Sequence, residues 1–146
     1  MMGKMGYDIV VSKLDEKELL FSQNALKNYT NLKETIWHGD MYRLIDPFEN
    51  QMASVQFVNE KKGQSVIFNY LTENRYDLTS LLQNIKLKGL DAQKKYKITE
   101  INLYPETKSL INSEKIYSGE YLMTIGINPN ISSRRTSGGL EVNEVR

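Results

Sequence analysis

The spacing of apolar residues changes once along this chain, near Gly39, and that change constrains the fold more than any other feature. Before Gly39, apolar residues recur every three or four positions, which is the period of an amphipathic helix. Beyond Pro47 they alternate with polar residues, which is the period of a strand with one buried face. Segment 37–49 is therefore predicted to be a junction between two architectures. Residues 1–39 are too few to form a domain alone, so we expect them to belong to a larger α/β unit.

The first part of the chain has the pattern of one strand followed by one long helix. Residues 7–11 are rich in β-branched side chains, which is typical of a short strand. Asp15, with Glu18 three residues later, matches a capping box and predicts a helix over 16–37. Gly39 stands where a glycine in the left-handed conformation would end that helix. One face of the predicted helix carries Leu19, Ser22, Leu26, Tyr29, Leu32 and Ile36.

The rest of the chain has the pattern of short antiparallel strands. Alternating apolar residues on both sides of a turn at 61–63 predict a β-hairpin. Residues 85–88 have the pattern of a half-exposed strand. The change of phase between Ile98 and Ile101 predicts a bulge near 99–100. Two further strands are predicted to include Tyr121, Met123, Ile125 and Ile127, and then Leu140 and Val142.

About six to eight short strands separated by turn signals are typical of an antiparallel sandwich. The sequence therefore predicts a mainly β fold, namely an antiparallel Greek-key β-sandwich preceded by one long α-helix. The helix face must be covered, and burial of each large apolar side chain contributes about 1.5–3 kcal/mol.

The composition excludes several classes of protein. A chain of 146 residues can form one domain with a real core but is too short for two well-buried ones. The formal charge of +1 provides no general attraction to nucleic acid or anionic lipid, so neither is expected as a partner. The absence of cysteine excludes disulfides, thiolate metal sites and a cysteine nucleophile. Neither a run of about 18 apolar residues nor the apolar stretch of a signal peptide is found, and the compartment stays open.

No catalytic constellation is recognisable, and neither a metal site nor a cofactor is expected. His38, the single histidine, lies at the predicted helix end, where a cation favours the helix dipole. As a general base or a metal ligand it would have neither a second histidine nor a cysteine as partner. Asp40, Asp46 and Glu49 are close in sequence, but the Asp-Pro pair at 46–47 indicates a turn, in which acids are usually solvated.

Tyrosine is plentiful, with nine in the chain, so stacking against a sugar is the binding chemistry to weigh. Tyrosines in core-facing strand positions usually belong to the core and hydrogen-bond through their hydroxyl groups. Those in the predicted loops are the weak candidates for binding a carbohydrate, and they are Tyr76, Tyr104 and Tyr117.

Several motifs spread over nearly the whole chain resemble one family. Residues 39–49 are similar to the GDLYRL…PYE stretch of glycoside hydrolase family 36, the bacterial-type α-galactosidases. Residues 2–9 resemble the last barrel strand of that family, and residues 14–18 resemble the start of the helix that follows it. Residues 89–103 and 118–126 resemble its GLDP…EINL and SGDYLM…G stretches.

This resemblance implies a parent enzyme that cleaves terminal α-galactosyl residues with retention, through two aspartates at the top of a (β/α)8 barrel. Neither catalytic aspartate maps onto this chain. The family's nucleophile motif is of the KWD type, whereas the single tryptophan here, Trp37, is followed by His38. The resemblance implies that residues 1–39 are a remnant of the catalytic barrel, its last strand and helix. Residues 40–146 then form the C-terminal β-sandwich domain.

The expected role is non-catalytic support of the barrel or of oligomerisation, and the chain alone should be inactive. The implied partners are the catalytic barrel and a second copy bound through the N-terminal helix. Two alternatives stay open, a carbohydrate-binding module and a freestanding interaction domain. Titration with galactosides tests the first, and an upstream reading frame that encodes a barrel with a KWD motif would argue against the second.

Overall fold

The computed structural model describes residues 6, 10–72, 84–129 and 137–145. Within them, one long helix precedes a six-stranded antiparallel sheet, which confirms the mainly β fold. Most of the predicted strand at 7–11 lies outside the described residues, and Val11 opens a 3-10 turn instead. The elements are the turn Val11–Lys13, α1 Glu16–His38, β1 Asp40–Ile45, β2 Met52–Val58, β3 Gln64–Leu71, β4 Lys95–Ile101, β5 Ile116–Ser118, α2 Gly119–Thr124 and β6 Ser137–Glu144.

Helix α1 begins at the predicted capping box. The Glu18 backbone N–H donates to the Asp15 carboxylate at 2.7 Å, and the Asp15 N–H donates to the Glu18 carboxylate at 3.1 Å. The prediction of a left-handed glycine at the other end is wrong, because Gly39 has φ −80° and ψ 162°. Glycine is needed there for space, since a Cβ atom would lie 2.3 Å from the carbonyl oxygen of Thr35.

The buried face of α1 packs on β2 and β3 through an aromatic and aliphatic cluster. This face was predicted only in part, because Leu19 and Leu26 are 38% and 44% exposed. Ala25 is buried where Leu26 was expected, whereas Tyr29, Leu32 and Ile36 are buried as predicted. The centre of the face that contacts the sheet is therefore shifted around the helix by roughly 60°. The cluster contains Tyr29, Leu32 and Ile36 of the helix with Phe57, Val66, Phe68 and Ile101 of the sheet.

The strand order is β1-β2-β3-β6-β4-β5, and every neighbouring pair is antiparallel. Strand β6 is the last in the chain but lies between β3 and β4, with Leu140 opposite Ile67 and Val142 opposite Ile98. Strand β6 therefore joins the β1–β2–β3 meander to the β4–β5 pair. The central position of β6 makes the C-terminal segment part of the core.

The sheet is buried on both faces, and this corrects the predicted bulge at 99–100. Strand β4 pairs with β6 without interruption from Tyr96 to Ile101. Ile98 contributes to the cluster opposite α1, whereas Ile101 contributes to the cluster under α1. The change of phase in the sequence therefore marks a change of buried face. The irregularity lies in β1 instead, between Arg43 and Ile45.

The strand predicted to start at Tyr121 is also wrong, because residues 119–124 form helix α2. The Ser118 hydroxyl caps it by accepting the Tyr121 N–H at 3.1 Å. Ile127 follows the helix and pairs with Ile85 in an isolated bridge, so residues 85–88 form no longer strand. Their predicted alternation of burial is nevertheless present. In the described part of the chain, this bridge and α2 supply the layer opposite α1, where a full second sheet was expected.

Candidate functional site

The two described candidate tyrosines lie in separate clefts on opposite faces of the sheet, and Tyr76 lies outside the described residues. The ring centroid of Tyr104 is 5.6 Å from that of Phe21 in α1, on the helix side. Tyr117 packs instead against the core cluster on the other face. The structure therefore does not unite them in one binding surface.

A second tyrosine joins Tyr117, and sequence reasoning missed it. Tyr121 was assigned to a core strand, but in α2 its side chain is 40% exposed. The two ring centroids are 5.6 Å apart with an angle of 30° between the planes. The pair forms because α2 starts immediately after β5 at Gly119, where a Cβ atom would lie only 1.9 Å from the carbonyl oxygen of Asp91.

The cleft beside this pair, called the tyrosine cleft below, has a volume of about 210 Å³. Its polar lining is mainly amide, and its floor is apolar and includes Ile98 and Ile127. The Lys115 ammonium lies 5.0 Å from the ring centroid of Tyr117. The polar side chains that define the tyrosine cleft, besides Tyr117 and Tyr121, are Asn84, Asn112, Lys115 and Asn128.

His38 is the last residue of α1, as predicted for a cation beside a helix C-terminus. Its Nε2 lies 3.7 Å from the Glu34 carboxylate, and both side chains are largely exposed. Across the described ranges, no group of three or more histidine or acidic side chains is placed to hold a metal ion.

Of the three acidic residues after α1, Asp46 hydrogen-bonds to the backbone. The Asp46 carboxylate accepts the N–H of Phe48 at 2.9 Å, and the Asp46 carbonyl accepts the N–H of Asn50 at 3.1 Å. This confirms the predicted turn. Glu49 lies exposed within this turn, and Asp40 lies exposed at the start of β1.

The outer side of α1 carries an apolar surface that the described structure leaves partly exposed. Leu19, Leu26 and Trp37 are 38%, 44% and 50% exposed. Leu26 lies about two helical turns after Leu19, and Trp37 lies about five turns after Leu19, so the three side chains lie on nearly one line. We call them the outer stripe. Despite these residues, no described helix has the length and apolar character needed to cross a bilayer.

Comparison with protein families gives a direct match. Residues 52–138, more than half of the chain, match the model of the glycosyl hydrolase family 36 C-terminal domain. The chain belongs to this family. Alpha-galactosidase AgaA of Geobacillus stearothermophilus is 30% identical over 106 residues, which are 71% of this chain and 14% of that protein. Alpha-galactosidase 2 of Hypocrea jecorina is 24% identical over 127 residues, 87% of this chain and 15% of that protein.

Solved structures of the family agree with the fold. An AgaA variant from Geobacillus stearothermophilus in complex with 1-deoxygalactonojirimycin superposes with a TM-score of 0.76 at 25% identity, over 96% of this chain and 18% of that chain. The alpha-galactosidase of Lactobacillus brevis superposes with a TM-score of 0.75 at 19% identity, over 97% of this chain and 18% of that chain. This family 36 domain therefore spans less than a fifth of each of these relatives.

Proposed function

We propose that this family 36 domain is a non-catalytic part of a retaining α-galactosidase and supports the enzyme's catalytic barrel. The observation that carries the proposal is the match of residues 52–138 to the family's C-terminal domain, within relatives named as alpha-galactosidases. In this proposal the two catalytic carboxylates of the retaining mechanism belong to the barrel. Residues 1–39 then belong to the barrel, and residues 40–146 form the C-terminal domain.

The outer stripe is the proposed contact with the barrel. Three large apolar side chains on one line of a helix form a solvent-exposed apolar patch, and such patches typically mark interaction sites. Burial of each contributes about 1.5–3 kcal/mol when complete. Since the inner face of α1 already packs on Phe57, Val66 and Phe68, the helix would lie between sheet and barrel and fix their relative position.

Oligomerisation is the second proposed role, and it uses the same surface. In the chain alone, the outer stripe lacks the barrel as a cover. A second copy can bury it by packing α1 against α1. Self-association of the isolated chain is therefore expected.

A chimera tests the supporting role. In it, the segment of alpha-galactosidase AgaA that matches this chain is replaced by this chain, and hydrolysis of p-nitrophenyl α-galactoside is measured after heating. Leu26→Lys with Trp37→Lys should lower the temperature of half-inactivation by several degrees. The matched control, Asn24→Lys with Asn31→Lys, adds the same charge at exposed positions about 120–140° around the helix from Leu19 and should behave as the parent chimera. Equal inactivation of the two double variants would contradict the proposed contact.

A further inference from the structure

We propose that the tyrosine cleft binds one pyranose ring of a carbohydrate, with the exposed ring of Tyr121, supported from behind by Tyr117, as its stacking surface. The proposal does not depend on the role assigned to α1. It follows from the geometry of the two rings, from the amide groups around them and from the size of the cleft.

The Tyr121 ring, packed against Tyr117, provides a firm apolar surface. Tyr117 is half-buried and packs against the core, so its orientation is fixed. Tyr121 projects from α2 with 40% of its surface exposed, 5.6 Å from Tyr117 and within 30° of parallel. The C–H face of a pyranose is apolar and flat enough to lie on such rings. The hydroxyl groups at the edge of the ring must then find polar partners.

Amide side chains supply those partners. Asn84, Asn112 and Asn128 line the same cleft, and an amide side chain carries both donors and an acceptor. That combination suits hydroxyl groups, which also donate and accept. The Asn112 oxygen already accepts the Glu114 N–H at 3.0 Å, so Asn112 is offered as a donor. No acidic side chain is among the described lining residues, so the cleft offers no counter-ion to a cationic ligand.

The Lys115 ammonium lies over the Tyr117 ring, with its Nζ 5.0 Å from the ring centroid. An exposed cation–π contact contributes only about 0.5–1 kcal/mol, so a ligand on Tyr121 can draw the ammonium away from it. The displaced ammonium stays at the rim and can donate to a ligand hydroxyl.

The dimensions indicate a single sugar unit. The volume of about 210 Å³ is below the range of about 300–1,000 Å³ that is common for drug-sized ligands. One sugar ring held by stacking and by a few hydrogen bonds to side-chain amides should bind with a dissociation constant of about 1 mM. The cleft lies on the face of the sheet opposite α1, so it stays open when the outer stripe is covered.

The test is a titration of the whole chain with methyl α-galactopyranoside, methyl α-glucopyranoside and methyl α-mannopyranoside. Saturation-transfer NMR measures the binding of each glycoside. We expect saturable binding of at least one of them. Tyr121→Ala removes an exposed ring and should weaken that binding by about tenfold. The matched control, Tyr104→Ala, removes an exposed tyrosine on the other face and should leave the dissociation constant unchanged.

Three results would overturn the proposal. The first is a folded chain that shows no saturable binding of any of the three glycosides. The second is Tyr121→Ala with unchanged affinity. The third is loss of binding in Tyr104→Ala, which would place the sugar in the cleft beside Phe21. Circular dichroism of each variant establishes that the fold is retained, and the exposure of Tyr121 and Tyr104 makes both substitutions tolerable.

Discussion

The buried hydroxyl of Tyr96 in β4 donates a 2.8 Å hydrogen bond to the backbone carbonyl of Lys62. Lys62 lies in the turn between β2 and β3 and has a positive φ of 54°. The same hydroxyl accepts the Asp91 N–H at 3.1 Å. One tyrosine thus ties the β2–β3 hairpin to the segment that leads into β4, across the intervening strand β6.

We predict that Tyr96→Phe lowers the free energy of unfolding by about 1–3 kcal/mol. The ring still fills its place in the core, but the hydrogen bonds to the Lys62 carbonyl and from the Asp91 N–H are both lost, and a hydrogen bond contributes about 0.5–1.5 kcal/mol. Urea unfolding followed by fluorescence measures the change. A midpoint equal to that of the parent chain would show that the hydroxyl contributes nothing.

The same residue should make stability fall at alkaline pH. Burial is the main cause that raises the pKa of Tyr96 above its ordinary value of 10.0, and burial also raises the pKa of Tyr70. Because the folded-state pKa is the higher one, the stabilising contribution is fully present below pH 10.0 and is lost as pH rises through the folded value.

The corresponding measurement is the urea midpoint as a function of pH from neutrality to about 11. The parent chain should lose stability above pH 10.0, and Tyr96→Phe should lose less over the same interval. Tyr70 stays in both proteins, so the slope should shrink without vanishing. An identical decline in the two proteins would refute the assignment to Tyr96.

The rotated face of α1 predicts opposite results at two leucines. Leu32 is 1% exposed, so Leu32→Ala should cost about 2–5 kcal/mol through lost burial and the cavity left behind. Leu26 is 44% exposed, and Leu26→Ala should change stability by about 0.5 kcal/mol or less. Chemical denaturation of each variant measures these costs. A low protein concentration is used so that self-association does not add to stability. Equal costs would show that the inner face is assigned incorrectly.

Self-association should follow the outer stripe. Light scattering of the isolated chain should give a mass that rises toward twice 16.9 kDa with concentration. Leu26→Lys with Trp37→Lys should keep the protein monomeric, whereas Asn24→Lys with Asn31→Lys should dimerise as the parent does. A monomer at every concentration would leave the oligomeric role without support.

Local signals predicted α1 well because its capping box is a contact between residues three apart. They did not predict which side chains the sheet covers. Ala25 is buried and Leu26 is exposed because helix packing, rather than hydrophobicity alone, selects the inner face. Ile101 was misassigned for a related reason, since a sheet buried on both faces gives no constant alternation.

The candidate site was predicted only in part, because it also depends on tertiary packing. Tyr117 was selected as a loop residue and lies in the edge strand β5. Tyr121 was missed because apolar residues at 121, 123, 125 and 127 imitate a strand. The signal that could have identified α2 is Ser118, an N-cap residue directly before Gly119 and Glu120. The pairing of the two rings depends on tertiary structure and has no sequence pattern of its own.

The central proposal is that this domain is a non-catalytic part of an α-galactosidase, and its most direct test is hydrolysis of p-nitrophenyl α-galactoside by the purified chain. The account predicts a rate equal to that of buffer at every protein concentration. Saturable turnover that rises in proportion to the chain and persists through further purification would contradict it.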